Sequence, residues 1–216
     1  MASRRNLGVH TLKIYAFPRT RATRAIWAAE EVEAEYDLVN VDLAQGESRR
    51  TRFLGINPGG KVPVLEDDGL VISESAAIVT YLGDKYPGSG LVPAPATPER
   101  AQYNRWCFFV VGELEQPLWT LAKHKFAIPE KWRVPEIRNT ARWEFSVAAQ
   151  ILAQGLGQSQ FILGEHFSGA DILVAHTLRW ARNFEVPVGD QELEDYADRM
   201  LARPAFRRAM KREAAA

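Results

Sequence analysis

The 216-residue sequence has a single cysteine, Cys107, and no long hydrophobic run. One cysteine excludes an intramolecular disulfide and any paired-cysteine redox or zinc cluster, which is compatible with a reducing cytoplasm. No stretch reaches the roughly 18 apolar residues of a membrane span, and the basic start of the sequence, MASRRNLGVH, lacks the apolar core of a signal peptide. We therefore expect a soluble, cytoplasmic protein without a membrane partner.

An excess of charge of either sign is also missing, since 27 Lys and Arg balance 27 Asp and Glu. This balance gives no reason to expect a nucleic-acid partner or an anionic membrane surface. The four histidines, His10, His124, His166 and His176, show no metal-ligand spacing, so we predict no metal site. With 46% hydrophobic residues the chain can bury a sizeable core, and a small or uncharged ligand suits it better.

Strand-like and helix-like patterns alternate in the first part of the sequence. TLKIYAF is β-prone, apolar residues from Ala22 to Val32 recur at helical spacing, and YDLVNVDL alternates like a strand. Strands joined by a helix should pair in parallel. VPVLEDDGLVIS predicts a hairpin turning at Asp68 and Gly69, and ESAAIVTYLGDKY predicts a helix that stops at Pro87. The order predicts a mixed sheet with helices on its faces.

A proline-rich segment without periodicity, YPGSGLVPAPATPER, follows and predicts an interdomain linker over residues 88–98. The rest is predicted to be all-helical, with an α/β domain at 11–87 and an all-α domain at 99–216. FSGADI predicts a capping box between Ser168 and Asp171, and shorter helical segments are expected near 190–202 and 204–212.

Apolar stripes define the first two helices of this half, the first of them ended or kinked near Pro117. The stripes consist of Tyr103, Trp106, Cys107, Val110, Val111 and Leu114, and of Ile137, Ala141, Phe145, Ala148, Ile151 and Leu152.

The segment GGKVPVLEDDGLVISESAAI carries the clearest candidate binding site. Pro63 lies in a strand-like run, where its missing N–H indicates an edge, a bulge or a cis peptide. A cis bond would turn the backbone of Val62 outward, where it could pair with a peptide backbone. Glu74 and Ser75 begin a helix, whose unpaired N–H groups attract a carboxylate. Singly, these residues also suit an edge strand and a helix cap, but together they predict a site for a short peptide.

The longer segment NPGGKVPVLEDDGLVISESAAIVTYLGDKYP resembles the glutathione-binding half of cytosolic glutathione transferases, in which a thioredoxin-like domain precedes an all-helical one. FSGADILVA and LARPAFRRAM are similar to the helical half of that family. The resemblance implies a homodimer, a detoxification role, and glutathione as co-substrate without a further cofactor. It implies that Val62 holds the cysteinyl backbone of glutathione, and Glu74 with Ser75 its γ-glutamyl end. Lys61 and the arginines at 49–52 are candidates for the glycyl carboxylate, although surface arginines also suit solvent.

The resemblance directs the catalytic question to FPRTRATRAIW. The thiol of glutathione, like that of free cysteine, has a pKa of roughly 8.5, so the enzyme must favour the thiolate for attack at neutral pH. Lowering this pKa by about two units needs about 2.7 kcal/mol of selective stabilisation of the thiolate. One charge-assisted hydrogen bond of about 1.5–3 kcal/mol and a helix N-terminus are of that order. Many bacterial and theta-like members use a serine four residues before an arginine, and aligning that arginine with Arg24 puts Thr20 there. Thr23 is the alternative hydroxyl. Arg19 and Arg21 flank Thr20, and each could act on the sulfur, bind an anionic substrate, or form a solvated turn.

The tyrosine and the cysteine that other classes use are both missing. The tyrosine position holds Ala16, and we expect Tyr15 to face the opposite side of its strand. The electrophile is expected in an apolar cleft between the domains, where Phe108 and Phe109 are candidates, with core packing or a dimer contact as their other roles.

The sequence therefore predicts a glutathione transferase that conjugates glutathione to a small hydrophobic electrophile. One alternative is a glutathione-dependent peroxide or disulfide reductase on the same fold. The other is a non-catalytic ligand-binding or regulatory protein of that fold, since fold does not fix function.

Overall fold

The computed structural model describes residues 12–215, so His10 and the basic N-terminal segment lie outside the described residues. A four-stranded mixed sheet in the order β2-β1-β3-β4 forms the first part of the molecule. The strands are β1 (Leu12–Ala16), β2 (Tyr36–Asn40), β3 (Val64–Asp67) and β4 (Leu70–Ser73). β1 pairs with β2 in parallel, and β3 pairs with both β1 and β4 in antiparallel. The predicted mixed sheet of a thioredoxin-like fold is confirmed.

Three helices accompany the sheet: α1 (Ala22–Glu31), α2 (Thr51–Leu54) and α3 (Ser75–Lys85). α1 connects the two parallel strands, as their crossover requires. The hairpin between β3 and β4 turns at Asp68 and Gly69, with φ values of 47° and 82°. Two successive positive φ angles are typical of a type I′ turn, which the Asp-Gly pair favours.

The second part of the described chain is helical, and it confirms the predicted all-α half. Its helices are α4 (Pro98–Phe109), α5 (Glu115–Ala122), α6 (Ile137–Leu156), α7 (Gly169–Asn183), α8 (Gln191–Leu201) and α9 (Pro204–Ala215). The break expected near Pro117 takes the form of a π-helical segment, Val110–Leu114, between α4 and α5. Pro117 itself lies in the first turn of α5, where a missing N–H is tolerated. Within residues 12–215, no helix combines the length and apolar character needed to cross a membrane.

The structure adds one detail to the proline-rich segment and corrects one for α6. The proline-rich segment is docked on the core, because Leu91 and Val92 are buried and the Leu91 carbonyl accepts from the Gly169 N–H at 2.8 Å. Ile151 does not belong to the buried stripe of α6, since it is 43% exposed whereas Leu152 is buried. Successive helical residues are rotated by about 100°, so Ile151 points away from the face that Leu152 buries.

The predicted capping box at the start of α7 is present. The backbone N–H of Ser168 donates to the Asp171 carboxylate at 2.8 Å and the Ser168 hydroxyl donates to it at 2.9 Å. Tyr196 of α8 donates to the same carboxylate at 2.7 Å. The box therefore fixes the direction of α7, the helix that supplies His176 and Trp180 to the region described below.

Candidate functional site

The Val62–Pro63 peptide bond is cis, which selects one of the three conformations expected for Pro63. Pro63 is buried and directly precedes β3, so the strand itself begins at Val64. Within the described part of the chain, neither the N–H nor the C=O of Val62 has a hydrogen-bond partner. The Val62 backbone is therefore available to pair with a peptide.

The N-terminus of α3 has an unusual backbone conformation. Glu74, at the N-cap position, has a φ of 70° and a ψ of 114°, and its exposed side chain does not cap the helix. A positive φ is costly for a residue with a side chain, and such residues cluster at ligand-binding sites. Ser75 is the first residue of α3 and is not its cap, because its buried hydroxyl accepts from Arg24 Nη1 at 3.2 Å.

Thr20 lies in the turn that leads into α1, and its hydroxyl organises that turn. Its Oγ1 donates to the Phe17 carbonyl at 2.7 Å and accepts from the Ala22 N–H at 3.2 Å. Among residues 12–215 the backbone N–H groups of Thr20 and Arg21 have no acceptor. The half-buried Thr20 hydroxyl is thus reachable at a helix N-terminus that also presents free donors.

Thr23, the alternative hydroxyl, is fully buried. Its Oγ1 lies 2.6 Å from Glu213 Oε1 and 3.0 Å from the Thr20 carbonyl. Glu213, on α9, also accepts from the Arg19 N–H at 3.3 Å. The Thr23 hydroxyl therefore stabilises the turn through these contacts. Of the two threonines, Thr20 has the more accessible side chain.

Arg24 is fully buried and connects helices of both halves of the molecule. Besides Ser75 on α3, its guanidinium donates to His176 Nδ1 at 3.2 Å and to Thr177 Oγ1 at 2.8 Å, both on α7. It also forms an ion pair of 2.5 Å with Glu115 on α5. Burial lowers the pKa of Arg24, and the nearby Glu115 carboxylate opposes this shift. Arg24 is therefore positioned to brace the site and not to contact a ligand.

His176 connects Arg24 to the turn at Thr20. Burial and the charge of Arg24 lower the pKa of His176 well below its ordinary value, so the imidazole is neutral. Because Nδ1 accepts from Arg24, the proton lies on Nε2, which donates to the Thr20 carbonyl at 3.2 Å. Ser75 and the Thr20 turn are thus connected through Arg24 and His176.

Two tryptophans of the helical half lie next to the predicted site residues. The Arg21 guanidinium pairs with Glu115 and stacks on Trp119 at 5.0 Å and on Trp180 at 5.1 Å. Lys61 Nζ lies 5.9 Å from the centre of the Trp119 ring. Trp119 therefore lies between the residue before Val62 and the residue after Thr20. Sequence reasoning missed both rings.

Further rings extend from Trp180. Phe184 packs edge-to-face on Trp180 with centroids 5.9 Å apart, and Phe126 lies 6.4 Å from Phe184. We call Trp119, Trp180, Phe184 and Phe126 the aromatic wall. The predicted electrophile residues are on α4: Phe108 is 74% exposed, and Phe109 packs edge-to-face on Trp106 at 5.4 Å.

Tyr15 and Cys107 are both unsuited to act on a thiol. As predicted, Tyr15 faces away from the buried Ala16 and packs edge-to-face on Phe53. Its hydroxyl donates to Glu66 at 2.8 Å, and burial together with Glu66 raises its pKa to about 12. Burial also raises the pKa of Cys107 to about 12, so this cysteine is an inert thiol of the core.

Comparison with known proteins matches two family models, the N-terminal domain of glutathione S-transferase over residues 10–84 and its C-terminal domain over residues 118–204. Disulfide-bond oxidoreductase YfcG of Escherichia coli K12 is 30% identical over 207 residues, which cover 92% of this chain and 94% of YfcG. Glutathione S-transferase GST-4.5 of Xanthomonas campestris pv. campestris is 29% identical over 179 residues, covering 82% of this chain and 87% of that protein. The structure of a ternary complex of BphK, a bacterial GST, has a TM-score of 0.83 at 29% identity, covering 94% of this chain and 99% of BphK.

Proposed function

Because the chain belongs to the glutathione S-transferase family, we propose that it conjugates the thiolate of glutathione to a hydrophobic electrophile. The observation that carries the proposal is that the N-terminus of α3 at Ser75 is connected to the Thr20 turn, while the hairpin register, with Val64 opposite Ser73, places the unpaired Val62 backbone beside the same end of α3. Arg24 donates to Ser75 at 3.2 Å, and His176 connects Arg24 to the Thr20 carbonyl.

In this proposal the cysteinyl backbone of glutathione pairs with Val62 beside Pro63, as an added strand does. The carboxylate of the γ-glutamyl end lies at the N-terminus of α3 next to Ser75, where free N–H groups and the helix dipole favour an anion. The exposed Glu74 carboxylate then faces the α-amine of the same residue. Lys61 is the candidate for the glycyl carboxylate.

The Thr20 hydroxyl donates to the thiolate after rotating away from the Phe17 carbonyl, to which it now donates at 2.7 Å. The thiol proton leaves to solvent, the sulfur forms a bond to the electrophilic carbon, and the leaving group departs with its electron pair. We propose glutathione as the co-substrate with no further cofactor, in a homodimer.

Titration of the thiolate absorbance of bound glutathione tests the role of Thr20. In the wild type we expect the thiol pKa to lie about two units below that of free glutathione. Thr20→Val should raise the pKa by about one to two units, the equivalent of one charge-assisted hydrogen bond of roughly 1.5–3 kcal/mol. Thr20→Ser should keep it low. Thr140→Val, which changes an exposed threonine of α6, is the matched control.

A low pKa in the wild type that Thr20→Val leaves unchanged would show that another group stabilises the thiolate. Retention on immobilised glutathione provides the prior test of binding. A wild-type protein that is not retained, and does not titrate bound glutathione, contradicts the proposed function as a whole.

Disulfide or peroxide reduction is the second candidate, favoured by the similarity to YfcG, a disulfide-bond oxidoreductase 30% identical over 94% of its length. Cys107, the single cysteine, is buried, so two glutathione thiols would supply both electrons. They would be oxidised to glutathione disulfide while a substrate disulfide becomes two thiols, or a hydroperoxide becomes an alcohol and water. Product analysis separates the candidates, because conjugation consumes glutathione without forming glutathione disulfide.

A further inference from the structure

Arg21 has an orientation fixed by three side chains of the helical half. Its guanidinium stacks on Trp119 at 5.0 Å and Trp180 at 5.1 Å, and its Nε pairs with Glu115. Ordering a free arginine to bind a ligand costs side-chain entropy. That cost is small for Arg21, since its guanidinium is already positioned before any ligand arrives.

The outer edge of the Arg21 guanidinium remains accessible. The side chain is 26% exposed, and within residues 12–215 neither terminal nitrogen donates a hydrogen bond. Two terminal nitrogens in one plane form the fork that binds carboxylates and other oxyanions with two parallel hydrogen bonds. Arg21 pairs with Glu115 through Nε, and its two terminal nitrogens therefore form a candidate oxyanion site on the opposite, outer edge of the guanidinium.

The charges around Arg21 leave this site positive. Arg21 and Arg24 both pair with Glu115, so two cations share one anion. His176, which contacts Arg24, is neutral and adds no charge. Within this cluster of two guanidiniums and one carboxylate, one positive charge is not neutralised, and in a half-buried setting it attracts an anion more strongly than the same charge in water.

The aromatic wall shows what kind of molecule would carry that anion. From Trp180 the wall continues through Phe184 to Phe126, which is 60% exposed, and Lys125 Nζ lies 5.6 Å over Phe184. A flat ring that packed against Trp180 would lie close to Arg21, because the guanidinium stacks on that tryptophan at 5.1 Å. We propose that Arg21 is a specificity-determining residue that selects aromatic electrophiles bearing a carboxylate or sulfonate. This inference rests on the proposed conjugation activity.

Two chemically matched electrophiles test the selection, 4-chloro-3,5-dinitrobenzoate and its methyl ester. In both, the glutathione sulfur forms a bond to the ring carbon, the carbon–chlorine bond breaks and chloride leaves. Each kcat/KM is divided by the rate constant of the uncatalysed reaction of the same compound with glutathione, because the carboxylate and the methyl ester activate the ring to different extents. We expect a kcat/KM ratio of acid to ester of about tenfold or more, as one charge-assisted contact provides.

In Arg21→Gln the ratio should fall to about one. Arg199→Gln removes an arginine that stacks on Tyr196 at 5.8 Å on α8, and it should keep the wild-type ratio. Retention on immobilised glutathione and thermal unfolding verify that each variant is folded. Arg21→Lys serves as a second variant, which retains the charge, loses the fork and should show an intermediate ratio.

An unchanged ratio in Arg21→Gln overturns the inference. So does an equal loss with both substrates accompanied by a higher pKa of the bound thiol, because Arg21 would then act on the sulfur. If neither compound is conjugated although glutathione is bound, the proposed conjugation fails. The anion site is then decided by calorimetry with 3,5-dinitrobenzoate and its methyl ester. Tighter binding of the acid that Arg21→Gln abolishes supports the site, and equal binding refutes it.

Discussion

Replacing Arg24 by methionine removes the group that connects the two halves of the candidate site. Methionine has a similar length and fills irregular space, so the change removes charge and hydrogen bonds more than volume. In the wild type the guanidinium is fully buried, donates to three side chains and pairs with Glu115 at 2.5 Å. Each of these partners lies on a helix other than α1.

Breaking a buried ion pair by removing one partner costs about 3–5 kcal/mol. Glu115 keeps Arg21 as a second partner in Arg24→Met, which points to the lower end of that range. Among residues 12–215, Arg24 is the only donor to His176 Nδ1, so Arg24→Met leaves a buried unpaired acceptor, which adds about 1–3 kcal/mol. The hydroxyls of Ser75 and Thr177 can find other partners by rotation, so we expect a total loss of about 4 kcal/mol.

Urea unfolding at one fixed protein concentration measures this loss, since oligomerisation makes stability depend on concentration. Arg24→Met should also raise the KM for glutathione, because Ser75 and the Thr20 turn lose their common brace. Arg24→Lys keeps the charge without the fork and should fall between the wild type and Arg24→Met. A loss below about 1 kcal/mol with an unchanged KM would refute the reasoning, because one ordinary hydrogen bond accounts for that much.

Two further predictions concern pH and the missing tyrosine. Since the pKa of His176 is lower in the folded protein than in the unfolded chain, its contribution to stability is complete above about pH 6.5 and decreases as the pH falls below it. His176→Gln keeps one donor and one acceptor but does not titrate, so its urea stability should change less between pH 7 and pH 5 than that of the wild type, and an equal change would contradict this. Tyr15→Phe should leave the pKa of bound glutathione unchanged, because the phenol is bonded to Glu66 at 2.8 Å; a clear rise in the thiolate titration would make Tyr15 the catalytic hydroxyl.

The elements of the fold were predictable because their signals are local. The parallel crossover through α1 and the Asp68–Gly69 turn follow from patterns a few residues long, and the structure contains both. The candidate binding segment was also visible, since Val62, Pro63 and Glu74 fall within one continuous stretch of sequence. Even there the sequence left three conformations open for Pro63, because a missing N–H is compatible with an edge, a bulge and a cis bond.

Contacts between distant segments could not be predicted in this way. Arg21 meets Trp180, and Arg24 meets His176, across more than 150 positions of the chain. Periodicity marks such side chains as belonging to a helix, but it does not indicate which helix they face. His176 therefore stood out only as a histidine without metal-ligand spacing, and no pattern in the sequence indicated that Trp119 and Trp180 both contact Arg21.

The turn at residues 19–23 depends on the helical half as much as on the sheet. Glu213 on α9 accepts from the Arg19 N–H and the Thr23 hydroxyl, and His176 on α7 donates to the Thr20 carbonyl. Arg21 is fixed by side chains of α5 and α7.

The Val62 and Ser75 groups, in contrast, belong to the sheet half. Substitutions in α5, α7 or α9 can therefore change the position of the Thr20 hydroxyl and the charge beside it without touching the backbone groups proposed to bind glutathione. On this arrangement, a common binding surface can be combined with different reactions, as in a family whose members include both transferases and a disulfide-bond oxidoreductase.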